Sequence, residues 1–195
     1  MKKIILLFFV IFLQTSNTNS DSLDEVKRII AGNTNAKITI IVYESLTCSH
    51  CADFHINVFP DLKRDYIDTG IAKIEFRHFP LDVAAFNASK IAQCKNDGSS
   101  DILNSLYLNQ SKWIKGKTID EVNENLKNFL VYEGIKVDFN KCTSDKNIED
   151  FVLNDRIEGV KKFKVNATPT IIINDKKFEK SLNYKNLKKT LEKLI

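Results

Sequence analysis

The stretch Cys48-Ser49-His50-Cys51 constrains this chain more than any other. Just before it, Ile38-Thr39-Ile40-Ile41-Val42-Tyr43 is apolar, β-branched or aromatic and predicts a buried strand. From Cys48 to Val58 the chain contains neither Gly nor Pro and predicts a helix. The two cysteines are therefore expected about one turn apart, with Cys48 at the helix N-terminus. There the unpaired backbone N–H groups and the positive end of the helix dipole favour a thiolate over a thiol. His50 is a second, cationic candidate for the same task. A thiolate stabilised in this way attacks disulfides well and leaves them well. As an inert staple the pair would close too short a loop to stabilise much, so the spacing predicts thiol–disulfide exchange.

The N-terminus has a different job. Met1-Lys2-Lys3 is basic, Ile4 to Leu13 is almost wholly apolar, and Gln14 to Ser20 is small and polar. That is the layout of a cleavable secretory signal over residues 1–20, with Thr18-x-Ser20 as the cleavage site before Asp21. Its apolar part falls well short of the roughly 20 residues that span a bilayer; an uncleaved anchor is the alternative. The expected location is the periplasm, with a soluble mature chain.

A chain of 195 residues has room for one core and an inserted subdomain. Its 29 basic residues face 25 acidic ones, and two of the lysines belong to the leader, so charge is near balance. Lys161, Lys162 and Lys164 alternate with apolar residues as on a solvated helix face, which gives no support to nucleic-acid binding. The four cysteines, Cys48, Cys51, Cys94 and Cys142, lie behind an export signal and favour disulfide formation in an oxidising compartment.

Ser22-Leu23-Asp24-Glu25 has a capping-box pattern and predicts a short helix ending near Gly32. The cysteine helix is expected to bend at Pro60 and run to Gly70, and Ile71 to Phe76 reads as a second strand, completing a parallel βαβ unit. After Pro80 the spacing becomes helical over 82–96, 101–110, 118–132 and 147–162. Thr118-Ile119-Asp120-Glu121 supplies a capping box and Gly134 a stop. Thr170 to Ile173 returns to strand, an Asn174-Asp175 turn leads into Lys177-Phe178-Glu179, and an amphipathic helix runs from Tyr184 to Leu194. The expected divisions are 1–20 leader, 21–81 and 159–195 as two parts of one domain, and 82–158 as a helical insertion.

This α/β plan is that of a thioredoxin fold with an inserted helical domain. Gly32-x-x-x-Ala36, Ser45-Leu46-Thr47-Cys48-Ser49-His50-Cys51-Ala52, His78-Phe79-Pro80-Leu81 and Asn166-Ala167-Thr168-Pro169-Thr170 fall in the order seen in the DsbA-like disulfide oxidoreductases. The chain resembles that family over nearly its whole mature length, and in particular its alphaproteobacterial type with a second disulfide. The resemblance implies that Cys48 is the nucleophile and that Cys51, more buried, resolves the mixed disulfide. His50 at its position resembles the oxidising members, while Ser49 stands where Pro is common. A stabilised thiolate stabilises the reduced pair and makes the disulfide the stronger oxidant, by about 30 mV for each pKa unit below ambient pH.

By the same resemblance, the Thr168-Pro169 bond is cis, packs against Cys48 and offers the Thr168 backbone to an extended substrate peptide. The family often carries a buried acid six residues before its first cysteine as proton acceptor for the second. Val42 stands there in this chain. Strand alternation puts Glu44 on the same face, where it either replaces that acid or is a solvated strand-end carboxylate. The resemblance also supports a structural disulfide between Cys94 and Cys142, against two free buried cysteines. His55, His78 and Trp113 are assigned to packing. The implied partners are thiols of folding proteins and a membrane, quinone-linked DsbB-like reoxidant, with no cofactor, no nucleic acid and a monomeric enzyme.

Two rival functions bear comparison. A disulfide isomerase or reductase of the same fold is the nearer one, but the family's isomerases carry a separate N-terminal dimerisation domain, for which the stretch before the first strand is too short. A metal-binding or metal-delivery protein would use Cys48, Cys51, His50 and His55, yet a structural zinc site needs further ligands at matching spacing. Covalent haem attachment needs His directly after Cys51, where Ala52 stands. No metal is expected.

Overall fold

The computed structural model describes residues 25–195; the leader and residues 22–24 of the expected first helix lie outside them. A five-stranded mixed sheet has the order β1-β3-β2-β4-β5. Its strands are β1 (Ile29–Ala31), β2 (Ile38–Glu44), β3 (Ala72–His78), β4 (Thr170–Ile173) and β5 (Lys176–Lys177). β2 and β3 are parallel and joined by the cysteine helix α1 (Ser49–Asn57), whereas β1, β4 and β5 run antiparallel to their neighbours. Within the described residues the helix expected to end near Gly32 is absent, residues 25–28 being non-helical. Ile29 and Ile30 instead pair with Phe76 and Glu75 of β3, because β-branched residues suit a half-buried sheet edge better than a short helix. Gly32 then turns the chain at φ +97°, where a Cβ would come within 2.8 Å of Ile67 Cγ2.

Period-two alternation sends the sheet's residues to two cores. Ile38, Ile40, Val42, Ile74, Phe76, Ile171 and Ile173 face the larger one, with α1, the helical insertion and α9 (Tyr184–Leu191). Ile41, Tyr43 and Ile172 face the other way, against Phe163 and Val165. The insertion between β3 and β4 begins with α3 (Val83–Gln93), α4 (Asp101–Leu108) and α5 (Gln110–Trp113). It continues through α6 (Ile119–Tyr132), α7 (Phe139–Ser144) and α8 (Lys146–Phe163). Asp82, Thr118, Asp138 and Asp145 each cap the helix that follows with a side-chain oxygen. α8 runs unbroken across 158/159.

Four local readings change. The cysteine helix does not simply bend at Pro60: α1 stops at Asn57, α2 (Phe59–Leu62) begins afresh with Pro60 in its first turn, and Lys63–Ile67 is a π-helical turn. The helix expected over 101–110 divides at Asn109. α7 was not visible as a separate helix. The hairpin returns at Lys176–Lys177, earlier than expected, because Asn174 and Asp175 both take left-handed backbone (φ 45° and 62°) and make a two-residue turn. Among the described residues, no helix is long and apolar enough to cross a membrane.

Behind Tyr43 a buried ion cluster ties α8 to the sheet. Asp155, only 2% exposed, accepts both contacts of Arg28 Nη1 (2.5 and 2.6 Å) and the backbone N–H of His78 (3.0 Å). Arg77 reaches it at 3.5 Å and also binds Glu158 (2.8 Å) and Glu75 (3.0 Å).

Candidate active site

β2 ends at Glu44, and a tight turn closed by Cys48 N–H donating to Ser45 O (3.0 Å) leads into α1. Cys48 is the N-cap residue of α1, with extended backbone. Its carbonyl accepts from Cys51 N and Ala52 N (3.1 and 3.2 Å), and its thiol is aimed back over the first turn. There the amides of His50 and Cys51 lack earlier helical carbonyls to bind in the α pattern. The thiol of Cys51 contributes most to lowering the Cys48 pKa, opposed by partial burial and assisted by Thr168 and the backbone N–H groups of Cys51 and His50. The result is a Cys48 pKa of about 5, against 9.0 for an ordinary thiol. The His50 side chain and Ser49 are exposed at the helix start.

Cys51 is the opposite case. It is fully buried, and burial, its hydrogen bond to the Cys48 sulfur and the charge of Glu44 push its thiol far above the ordinary value. Both cysteines are free thiols in this structure, so the pair is in its reduced form with one reactive and one protected sulfur.

The second wall of the site comes from far along the chain. Antiparallel pairing of Tyr43 with Thr170 brings the Thr168-Pro169 step beside Cys48, and that bond is cis. Cys48 Sγ lies 3.4 Å from Thr168 O, to which the thiol donates. A thiolate has no proton to give, and Thr168 Oγ1, buried without a hydrogen-bond partner among the described residues, is the donor that then serves it. The third wall is the Phe79-Pro80-Leu81-Asp82 segment. Leu81 N–H donates to Ser45 Oγ (3.3 Å) and Thr47 donates to Asp82 (2.7 Å), leaving Leu81 and Val83 exposed as an apolar rim.

Two features, the His55 partner of Glu44 and the part played by Gln110, have no counterpart in the sequence reading. Glu44 is no solvated strand-end carboxylate: it is 2% exposed, and its Oε2 lies 2.9 Å from His55 Nε2. Burial raises its pKa, and His55 pulls it partly back. His55, assigned to packing, sits four residues after Cys51 on the same buried face of α1, a spacing that was there to be read. The other feature is Gln110 of α5, whose Nε2 donates to Leu46 O (2.8 Å) and Cys48 O (3.0 Å). No sequence pattern announces a side chain that binds carbonyls of a distant turn.

Cys94, at the end of α3, and Cys142 of α7 are disulfide-bonded across a sequence separation of 48. In the chain-entropy treatment a loop of that size contributes about 4 kcal/mol. Replacing both by Ala is expected to lower the denaturant midpoint of the protein while thiol–disulfide exchange at Cys48 survives. Loss of exchange in a double variant that remains folded would make this pair a relay and not a brace.

Residues 24–193 match the family model described as Thioredoxin. The crystal structure of Wolbachia pipientis alpha-DsbA1 superposes with a TM-score of 0.76 at 31% identity, covering 86% of this chain and 90% of that one. A relative from Rickettsia bellii (strain RML369-C), provisionally named a protein-disulfide oxidoreductase, is 31% identical over 149 residues, 75% of this chain and 56% of the relative. Disulfide bond formation protein D of Bacillus subtilis (strain 168) is 25% identical over 174 residues, 84% of this chain and 75% of its own. The chain therefore belongs to the thioredoxin family, among its DsbA-like members. It spans only a little over half the length of the rickettsial relatives (56% and 61%).

Proposed function

We propose that this protein is an exported dithiol oxidase that donates the Cys48–Cys51 disulfide to folding proteins in the periplasm. The observation that carries the reading is the asymmetry of the pair: a helix-capping Cys48 held near pKa 5 beside a buried Cys51 held as a thiol. A substrate thiolate attacks Cys48 Sγ, the Cys48–Cys51 bond breaks, and Cys51 leaves as a thiolate that takes up a proton. The substrate's second thiolate then attacks its own sulfur in the mixed disulfide, and Cys48 departs as the stabilised thiolate. The substrate has lost two electrons and the enzyme has gained them.

Glu44 is the proton donor and acceptor for Cys51 in this scheme, and Thr168 with Pro169 frames the peptide, whose apolar side chains meet Leu81 and Val83. Export is supported by the basic, apolar and polar succession of residues 1–20. A membrane-bound, quinone-linked DsbB-like partner would return the enzyme to its disulfide form, with the enzyme itself monomeric.

Equilibration with glutathione tests the reading. A reduction potential well above the roughly −270 mV of thioredoxin is expected, and a value near that figure would make the protein a reductant. Thr168→Val removes the hydroxyl that serves the thiolate. It should raise the Cys48 pKa above about 5 and shift the potential towards the reducing side.

A further inference from the structure

Beneath Cys51, three polar atoms stand buried without hydrogen-bond partners among the described residues: Glu44 Oε1, His55 Nδ1 and the hydroxyl of Tyr107. Their side chains form one group. Glu44 Oε2 and His55 Nε2 are 2.9 Å apart with both side chains 1% exposed. Tyr107 of α4 stacks on the His55 ring (centroids 4.1 Å apart, planes 14° apart), with Phe76 on the imidazole at 5.4 Å. Buried polar atoms are ordinarily satisfied, and clusters of exceptions call for a reason. Packing alone would be met by an apolar side chain at position 55, which would leave no orphan nitrogen.

We propose that His55 is the positioning residue of the resolving step, holding Glu44 beneath Cys51 and balancing its charge so that Glu44 takes and returns the Cys51 proton. This rests on the dithiol-oxidase reading. In the direction that closes the pair, the Cys51 thiol gives its proton to the Glu44 carboxylate. The new thiolate attacks Cys48 Sγ of the mixed disulfide, and the bound thiol leaves as a thiolate that is protonated by water. His55 Nε2–H donates to Glu44 throughout.

Among the described residues no other group hydrogen-bonds this carboxylate, and burial alone strongly disfavours its charged form. The remaining titratable groups around it are Cys48 and Cys51 of the α1 start, Tyr107 of α4, and His78 in register on β3. Tyr107 is held far above its ordinary value, and His78 is bound to Gln93 and held below its own, so both stay neutral near pH 7. Among the described residues, His55 is the one side chain hydrogen-bonded to the carboxylate.

The test follows the concentration-independent phase after mixing the reduced protein with oxidised glutathione, which reads attack of Cys51 on the Cys48–glutathione disulfide, from pH 4 to pH 9. Removing His55 leaves the burial of Glu44 unopposed, so its carboxylate forms only at higher pH. His55→Leu is expected to move the inflection up by about one pH unit, a roughly tenfold slower step on the acidic side. His55→Gln, which still donates to Glu44, should recover part of that shift. In a Glu44→Gln background, itself about 100-fold slower, neither substitution should move the profile further.

Superimposable profiles for wild type and His55→Gln would overturn the proposal, and so would an equal effect of position 55 with and without Glu44. Should His55→Leu fail to fold, His55→Gln decides. A wild-type protein that exchanges nothing with oxidised glutathione would overturn the oxidase reading and this one together, whereas normal exchange with an unmoved profile removes His55 alone.

Discussion

Cys48→Ala is expected to abolish disulfide exchange, and Cys51→Ala to accumulate a stable mixed disulfide between Cys48 and substrate. The two outcomes differ because the sulfurs differ in environment: one caps a helix and is partly exposed, the other is enclosed one turn deeper. Alkylation gives an independent readout. With Cys48 near pKa 5, iodoacetamide should label it at pH 6 while Cys51 stays unmodified. First labelling of Cys51 would reverse the roles. The same depressed pKa links redox state to stability. Its contribution to the reduced protein is complete above the ordinary thiol value of 9.0 and is lost as pH falls through about 5. The oxidised protein has no thiol there and lacks this contribution. The gap in melting temperature between the two forms should therefore move against the reduced form as pH drops from 8 to 5.

A large loss of stability is expected from the single substitution Asp155→Ala. The substitution leaves the Arg28 and Arg77 guanidinium groups and the His78 amide facing a buried methyl group in place of a carboxylate. Removing one partner of a buried ion pair costs about 3–5 kcal/mol, chiefly because the other charge stays behind unpaired. Arg28 is partly exposed and can turn to water, which puts the expectation at the lower end of that range. Urea denaturation measures it, and a loss under about 1 kcal/mol would show that α8 is held to the sheet by packing alone. Gly159 of the same helix sits against the Tyr43 ring so closely that a Cβ would lie 2.8 Å from Cε1, so α8 has no room to slide and find new partners.

What could be read from the sequence was what is local. The Cys-x-x-C spacing, the apolar pattern of the strand before it and the capping residue Thr118 act within a few residues of themselves, whereas the Thr-Pro step, which meets Cys48 from 120 residues away, was legible only through the family resemblance. Ile29-Ile30 was misread because the capping-box pattern upstream spoke for helix, while the evidence for strand was a partner more than 40 residues away in β3. Glu44 was left undecided for a related reason. Whether a carboxylate at a strand end meets water depends on what covers the end, and the covering residues, His55 and Tyr107, belong to different helices.

Gln110 links the helical insertion to the turn that carries Cys48. Its amide holds the two carbonyls that frame the turn into α1, 62 residues away from Cys48 in sequence. The angle at which the N-terminal amides of α1 meet the Cys48 sulfur is thus set partly by a segment that a thioredoxin core could do without. Replacing Gln110 by Ala is therefore expected to alter the Cys48 pKa with both cysteines and their two intervening residues untouched, a change that thiol titration of the reduced protein reads.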